Sequence, residues 1–80
     1  MRLPRDTSAQ ELIKSLQKLG YVVTRQRVSH IRLTTTSSGQ HHVTIPNHNP
    51  VKLGTLSSVI GDIAVHFKQT KEEVAEKLFG

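Results

Sequence analysis

The residues that could do chemistry begin at Ser29 and His30, which stand side by side in the stretch Val28-Ser29-His30-Ile31. The imidazole of histidine changes its charge between pH 5 and 8, so it can take up or release a proton near neutral pH. A lone histidine at the start of a strand is more often a solvated or capping residue. The surrounding residues therefore decide between a catalytic and a structural interpretation of His30.

The charge distribution around His30 favours a polyanionic partner. The chain has 11 Lys and Arg against 6 Asp and Glu, a net charge of +5, and a pI of about 10.1. No carboxylate occurs from residue 12 to residue 61. Cations without anions attract nucleic acid first, although a solvated basic face or a surface for an acidic protein would have the same composition. This stretch contains Lys14, Lys18, Arg25, Arg27, Arg32 and Lys52, together with His30, His41, His42 and His48.

Helix and strand signals predict the scaffold that positions these residues. A capping box over residues 8–11 begins a first helix, and Gly20 ends it. Residues rich in β-branched side chains or with alternating polarity predict three strands, over residues 21–26, 29–35 and 41–45. A long apolar stripe predicts a second helix from about Thr55, and a second capping box at residues 70–73 predicts a short third helix.

The alternation of polar and apolar residues predicts which side chains share a face of the sheet. Ile31 and Leu33 point to one side of the second strand, and Val43 and Ile45 do so on the third. The other side is solvent-facing and carries His30, Arg32, His42 and Thr44. The order α-β-β-β-α with an extra helix predicts one α+β domain over residues 1–80, an antiparallel sheet with helices on one face, as in the double-stranded-RNA-binding fold.

Composition also excludes several classes of protein. Cysteine is absent, which excludes disulfides and thiolate-bound metal. No apolar run approaches the roughly 18 residues of a membrane span, and the N-terminus lacks a signal-peptide core, so we expect a soluble cytoplasmic protein. Adjacent strand residues point to opposite faces, so His41 and His42 cannot easily share a metal ion, and we expect neither metal nor cofactor.

Several short motifs together resemble the HicA family of bacterial and archaeal toxins. They are Leu12-Ile13-Lys14, Leu19-Gly20-Tyr21, Arg25-Gln26-Arg27, Ser29-His30, His42-Val43-Thr44-Ile45-Pro46-Asn47-His48 and Leu53-Gly54-Thr55-Leu56, in the family's order and spacing. The resemblance implies a small mRNA interferase that is neutralised by a HicB antitoxin. It also implies that His30 is the catalytic residue, from a Gly-Ser-His motif in which this chain has Val28 in place of glycine.

The chemistry that the resemblance implies needs no metal. A neutral imidazole at His30 can take the proton from a ribose 2′-OH, which then attacks the adjacent phosphorus and leaves a 2′,3′-cyclic phosphate and a 5′-hydroxyl. Arg32 would hold the phosphate oxygens, and His42 is the candidate for a second acid. The residues expected to bind RNA are Lys14, Lys18, Arg25, Arg27, Ser29, Arg32, His42 and Lys52.

Two alternatives to a ribonuclease use the same basic surface. A non-catalytic RNA-binding module would keep its activity when His30 is replaced. A protein-interaction domain for an acidic partner would show no salt-dependent binding of RNA. The sequence leaves open whether the chain forms a homodimer or a toxin–antitoxin hetero-oligomer.

Overall fold

The computed structural model describes residues 2–80, which form a three-stranded sheet and three helices. Within this part of the chain, no helix is both long enough and apolar enough to cross a bilayer. The predicted α-β-β-β-α order with an additional C-terminal helix is confirmed, and the fold is α+β. The elements are α1 (Ala9–Gln17), β1 (Val22–Gln26), β2 (His30–Thr35), β3 (His41–Pro46), α2 (Leu53–Phe67) and α3 (Lys71–Phe79).

The antiparallel sheet has the order β1-β2-β3, so β2 lies in its centre. On β2, Ile31 and Leu33 are buried in the core, whereas His30 is exposed and Arg32 is half-buried on the opposite side. Directly opposite residues of antiparallel strands share a face, and Thr44 of β3 lies opposite Arg32. The predicted alternation is therefore confirmed, and we call the side that carries His30 and Arg32 the outer face.

Burial of one apolar stripe from each helix stabilises the inner face of the sheet. The predicted capping box of α1 is present: the Ser8 hydroxyl accepts from the Glu11 amide at 3.1 Å, and the Ser8 amide donates to the Glu11 carboxylate at 3.0 Å. Thr70 and Glu73 repeat the pattern at α3. Each fully buried Leu or Ile contributes about 1.5–3 kcal/mol. The buried helical residues are Ala9, Leu12, Leu16, Leu56, Val59, Ile60, Ile63, Ala64, Val74, Ala75 and Leu78.

The ends of the strands differ by one residue from the predicted ones. β1 begins after Tyr21, whose ring is fully buried in the core. β2 begins at His30 and not at Ser29, which belongs to the turn between β1 and β2. β3 continues to Pro46, which pairs with His30. Proline is tolerated there because β3 is an edge strand and Pro46 is its last residue.

The ends of two helices also differ from the predicted ones. α2 begins at Leu53 and not at Thr55, because the amide of Leu56 already donates to the carbonyl of Lys52 at 2.9 Å. α1 ends at Gln17, three residues before the predicted stop. Gly20 has a φ of +85°, as its predicted left-handed role requires, but it closes a turn that follows the helix.

Aromatic rings hold the β2–β3 hairpin against the end of α2. His41 of β3 stacks on His66 of α2, with ring centroids 4.4 Å apart and an interplanar angle of 10°. The Nε2 of His66 donates to the carbonyl of Ser37 in the hairpin turn at 2.8 Å. The hydroxyl of Tyr21 lies 2.8 Å from Nδ1 of His41, and Phe67 packs edge-on against Tyr21 and His66.

The pKa of His41 in this cluster predicts that the stability of the fold depends on pH. Burial lowers the pKa of His41, and the neighbouring His66 and His42 lower it further, while Asp62 opposes them. Burial also raises the pKa of Tyr21 to about 12, so the phenol donates to a neutral His41. The pKa of His41 in the folded state is below its unfolded value of about 6.5. The stability that neutral His41 contributes is thus present above pH 6.5 and is lost as the pH falls below it.

We predict that His41→Gln weakens the dependence of stability on pH. The amide of glutamine can accept the Tyr21 hydroxyl but does not titrate. The free energy of unfolding, measured by urea denaturation between pH 5 and 8, should fall with decreasing pH in the parent and fall less steeply in the variant. His48→Gln, which replaces an exposed histidine, is the control and should follow the parent. Equal slopes for the parent and His41→Gln would contradict the role given to this cluster.

Candidate functional site

The outer face carries a cavity of about 290 Å³ whose lining contains no carboxylate. His30 and Arg32 line it from β2, Thr44 from β3, Arg25 from β1, and Arg27 from the β1–β2 turn. Residues two apart on a strand stand about 7 Å from one another, so a ligand the size of a phosphodiester can contact His30 and Arg32 together. Two other surface depressions, lined by the N-terminal segment with α2 or α3, contain no histidine.

The β1–β2 turn holds His30 at the rim of this cavity. The amide of Arg27 donates to the carbonyl of His30 at 2.8 Å. From the end of β3, the amide of Asn47 donates to the carbonyl of Ser29 at 2.9 Å, and its side-chain Nδ2 donates to the carbonyl of Val28 at 3.3 Å. The backbone that carries the imidazole is therefore tied to both neighbouring strands.

Ser29 decides which nitrogen of His30 is available to a ligand. Its hydroxyl lies 3.0 Å from Nδ1 of His30, within hydrogen-bond distance. Because Nδ1 is engaged, Nε2 is the nitrogen left for chemistry. When the Ser29 hydroxyl accepts from Nδ1–H, Nε2 carries the lone pair and can act as a base.

Three guanidinium groups line the cavity without a balancing acid. Arg25 lies directly opposite Arg32 in the β1–β2 pairing, and like charges in that position are destabilising. The Nε atom of Arg32 is buried and has no hydrogen-bond partner among residues 2–80. A buried donor without a partner costs about 1–3 kcal/mol, more when it is charged. Bound phosphate would supply the missing negative charge.

The predicted RNA-binding residues divide into two groups. Arg25, Arg27 and Arg32 line the cavity, and Ser29 contacts His30 at its rim. The other four do not line it. Lys18 donates to the carbonyl of Leu78 at 3.1 Å and so caps α3, a structural contact that the sequence did not suggest. Lys14 is exposed on α1, Lys52 is the N-cap residue of α2, and His42 lies on β3 away from the cavity.

The position of His42 gives no support to its role as a second acid. His42 pairs with Thr34, whereas His30 pairs with Pro46 at the other end of the ladder. Four residues along a strand correspond to about 13 Å, too far for both imidazoles to contact one phosphate. His42 instead makes a 2.7 Å hydrogen bond between its Nδ1 and the Thr34 hydroxyl.

Two residues of the site were not among the candidates. Thr44 lines the cavity, and its placement on the outer face is the signal that could have identified it. Asn47 holds the β1–β2 turn; it lies in one of the motifs that carry the family resemblance, but no role was predicted for it. Within residues 2–80, no three His, Asp or Glu side chains converge in a way that could hold a metal ion.

One known protein family matches most of the chain. The model of the family described as HicA toxin of bacterial toxin-antitoxin matches residues 9–70, from the first residue of α1 to the N-cap residue of α3. The chain belongs to the HicA toxin family. No curated protein and no solved structure matches it. As a HicA toxin, the chain is a component of a toxin–antitoxin system and has an antitoxin as its partner.

The structure explains how this HicA chain accommodates Val28 where the resemblance suggested glycine. Only Ser38 and Lys68 have a positive φ among its described non-glycine residues, so the backbone at Val28 does not require glycine. The side chain is 96% exposed at the tip of the turn and does not line the cavity. Val28 therefore leaves the cavity open.

We predict that sulfate stabilises the protein through the three arginines. Sulfate at ten times the dissociation constant of one site adds about 1.4 kcal/mol to the free energy of unfolding. For a domain of this size, that raises the midpoint of thermal unfolding by roughly 6–11 °C. Arg32→Gln should lose most of this increment, measured against sodium chloride of equal ionic strength.

The control is Lys77→Gln, which removes the same charge from α3 and should respond as the parent does. It is needed because sulfate also stabilises proteins by exclusion from their surface, and that part is common to all three proteins. Identical sulfate increments in the parent and Arg32→Gln would show that the cavity does not bind anions.

Proposed function

We propose that this HicA toxin is an endoribonuclease that cleaves RNA in the cytoplasm with His30 as its general base and without a metal ion. The observation that carries the proposal is the placement of an imidazole beside three unbalanced guanidinium groups in one cavity of the outer face. RNA is the substrate class because its ribose 2′-OH, next to the phosphate, is a nucleophile that a histidine base can activate without a metal ion. The arginines would bind that phosphate.

The first step of the proposed reaction is deprotonation of the 2′-OH. Nε2 of His30 takes the proton while Nδ1–H donates to the hydroxyl of Ser29, 3.0 Å away. The 2′-oxygen then forms a bond to the adjacent phosphorus. Ser29 thereby keeps the imidazole in the tautomer and orientation that a base needs, which we consider its main role.

The arginines would stabilise the charge that builds up on the phosphate. As the 2′-oxygen attacks, negative charge increases on the non-bridging oxygens, and guanidinium groups already in place need no reorganisation to bind them. Arg32 is the best placed, because it follows His30 by two residues on β2 and lies between Arg25 and Thr44 in the sheet. The like charges of Arg25 and Arg32 favour this anionic state over the empty cavity.

The second half of the reaction breaks the bond between phosphorus and the 5′-oxygen. The leaving oxygen takes a proton from the imidazolium of His30 or from water, and the products are a 2′,3′-cyclic phosphate and a 5′-hydroxyl. Arginine does not give up its proton in proteins, so histidine is the one residue type in the lining that serves as a general acid or base. The lining arginines repel cations, which favours a reaction without a metal ion.

The antitoxin would inhibit the toxin by covering the outer face. A protein that places carboxylates against Arg25, Arg27 and Arg32 would supply the missing counter-charge and exclude RNA from the cavity. This requires no change in the toxin's fold. The antitoxin and RNA would therefore compete for one surface.

We predict that His30→Ala abolishes cleavage and leaves binding intact. Loss of a general base lowers the rate by about 10²–10⁴-fold, whereas phosphate binding depends on the arginines. Cleavage of a mixed RNA pool should be followed in EDTA, and affinity for the same RNA by fluorescence anisotropy. Arg32→Gln is the contrasting variant and should weaken both cleavage and binding, with a shallower dependence of affinity on salt.

The alternatives predict different outcomes of the same experiment. Salt-dependent binding without cleavage by the parent would identify a non-catalytic RNA-binding module. Absence of any salt-dependent binding would leave only the interaction with a protein partner. Equal cleavage by the parent and His30→Ala would remove His30 from the mechanism.

A further inference from the structure

Strand β1 contains a bulge that determines the direction in which Arg25 points. Val23 pairs with Leu33, but the next pair in the ladder joins Arg25 to Arg32, so Thr24 is an extra residue. In a regular ladder Thr24 would pair with Arg32, and Arg25 would pair with the buried Ile31. Arg25 would then face the helices. The bulge moves Arg25 to the outer face, where it lines the cavity.

Hydrogen bonds of the Thr24 side chain hold this bulge in place. Its hydroxyl lies 2.9 Å from the hydroxyl of Thr34 and donates to the carbonyl of Arg32 at 3.4 Å. Thr34 faces the outer side of β2 but is only 9% exposed. Its hydroxyl in turn lies 2.7 Å from Nδ1 of His42.

Each threonine hydroxyl has a single proton to donate. Because the Thr24 hydroxyl donates to the carbonyl of Arg32, its oxygen can accept from the Thr34 hydroxyl, and the Thr34 oxygen can accept from Nδ1 of His42. Nearly all buried polar atoms in proteins have a partner, so this arrangement is specified by the three side chains together. A side chain without a hydroxyl at position 24 cannot make these bonds.

We infer that Thr24 is a positioning residue of the anion site, which fixes the bulge through Thr34 and so keeps Arg25 beside Arg32. The inference rests on the proposed function, because it assigns a role in binding the RNA phosphate. His42 belongs to the same chain of hydrogen bonds. Any effect of His42 on the anion site would therefore act through Thr34.

A double-mutant cycle tests this role. Thr24→Val keeps the β-branched shape and removes the hydroxyl, and Arg25→Gln removes the charge. Both are made singly and together in the His30→Ala background, and binding of a single-stranded oligoribonucleotide of mixed sequence is measured over a range of salt. Each single variant should bind this RNA about 3–10-fold more weakly than His30→Ala alone, and the slope of log affinity against log salt should be smaller by about 0.7. The double variant should match Arg25→Gln within about twofold, because Thr24 acts through Arg25.

Two further variants separate positioning from general damage to the fold. Thr24→Ser, made in the same background, retains the hydroxyl and should bind RNA as His30→Ala alone does. Thr36→Val removes an exposed hydroxyl from the β2–β3 turn, at the far end of β2, and should leave affinity and salt slope unchanged. Thermal unfolding midpoints of all variants check that the sheet is intact.

The outcomes distinguish the inference from the proposed function. If His30→Ala itself shows no salt-dependent binding, the proposed function fails, and the inference fails with it. If it binds RNA but the effects of Thr24→Val and Arg25→Gln are additive, or Thr24→Val retains full affinity, the inference alone is overturned.

Discussion

The repulsion among three guanidinium groups on one face of a small sheet is the constraint on which the rest of the structure depends. No carboxylate follows α1 until Asp62 in α2, so nothing in the strands relieves it. The apolar core on the opposite face holds the strands in register and so offsets the repulsion. The charge therefore remains available for a ligand. The charged residues and the apolar core lie on opposite faces because successive side chains of a strand point to opposite sides of the sheet.

The proposed active site uses few residues because the ligand completes it. The β1–β2 turn and Asn47 fix the backbone of His30, and Ser29 engages Nδ1 of its ring. The arginines are held in place by strand pairing, and Arg25 by a bulge. An incoming phosphodiester would supply both the negative charge that the lining lacks and the group that reacts. Substrate binding and catalysis would then depend on the same interactions.

The sequence predicted the features that follow from periodicity and missed those that follow from contacts across the fold. Alternation in β2 and β3 placed His30, Arg32 and Thr44 correctly, and both capping boxes were found. The bulge at Thr24 was missed because no local rule marks it, and it is what brings Arg25 to the cavity. Lys18 caps α3 through a residue 60 positions away, a contact that spacing cannot show. The distance between His30 and His42 likewise required the strand register.

The measurement that tests the central claim most directly uses an RNA with a single preferred cleavage site, compared with the same RNA carrying one 2′-deoxynucleotide there. The account predicts that the native RNA gives a 2′,3′-cyclic phosphate end in EDTA. It also predicts that the substituted RNA binds equally well but is not cut at that position, because the attacking hydroxyl is missing. Cleavage of the substituted RNA at the same bond would contradict the proposed attack by the 2′-oxygen, and with it the role of His30 as the base.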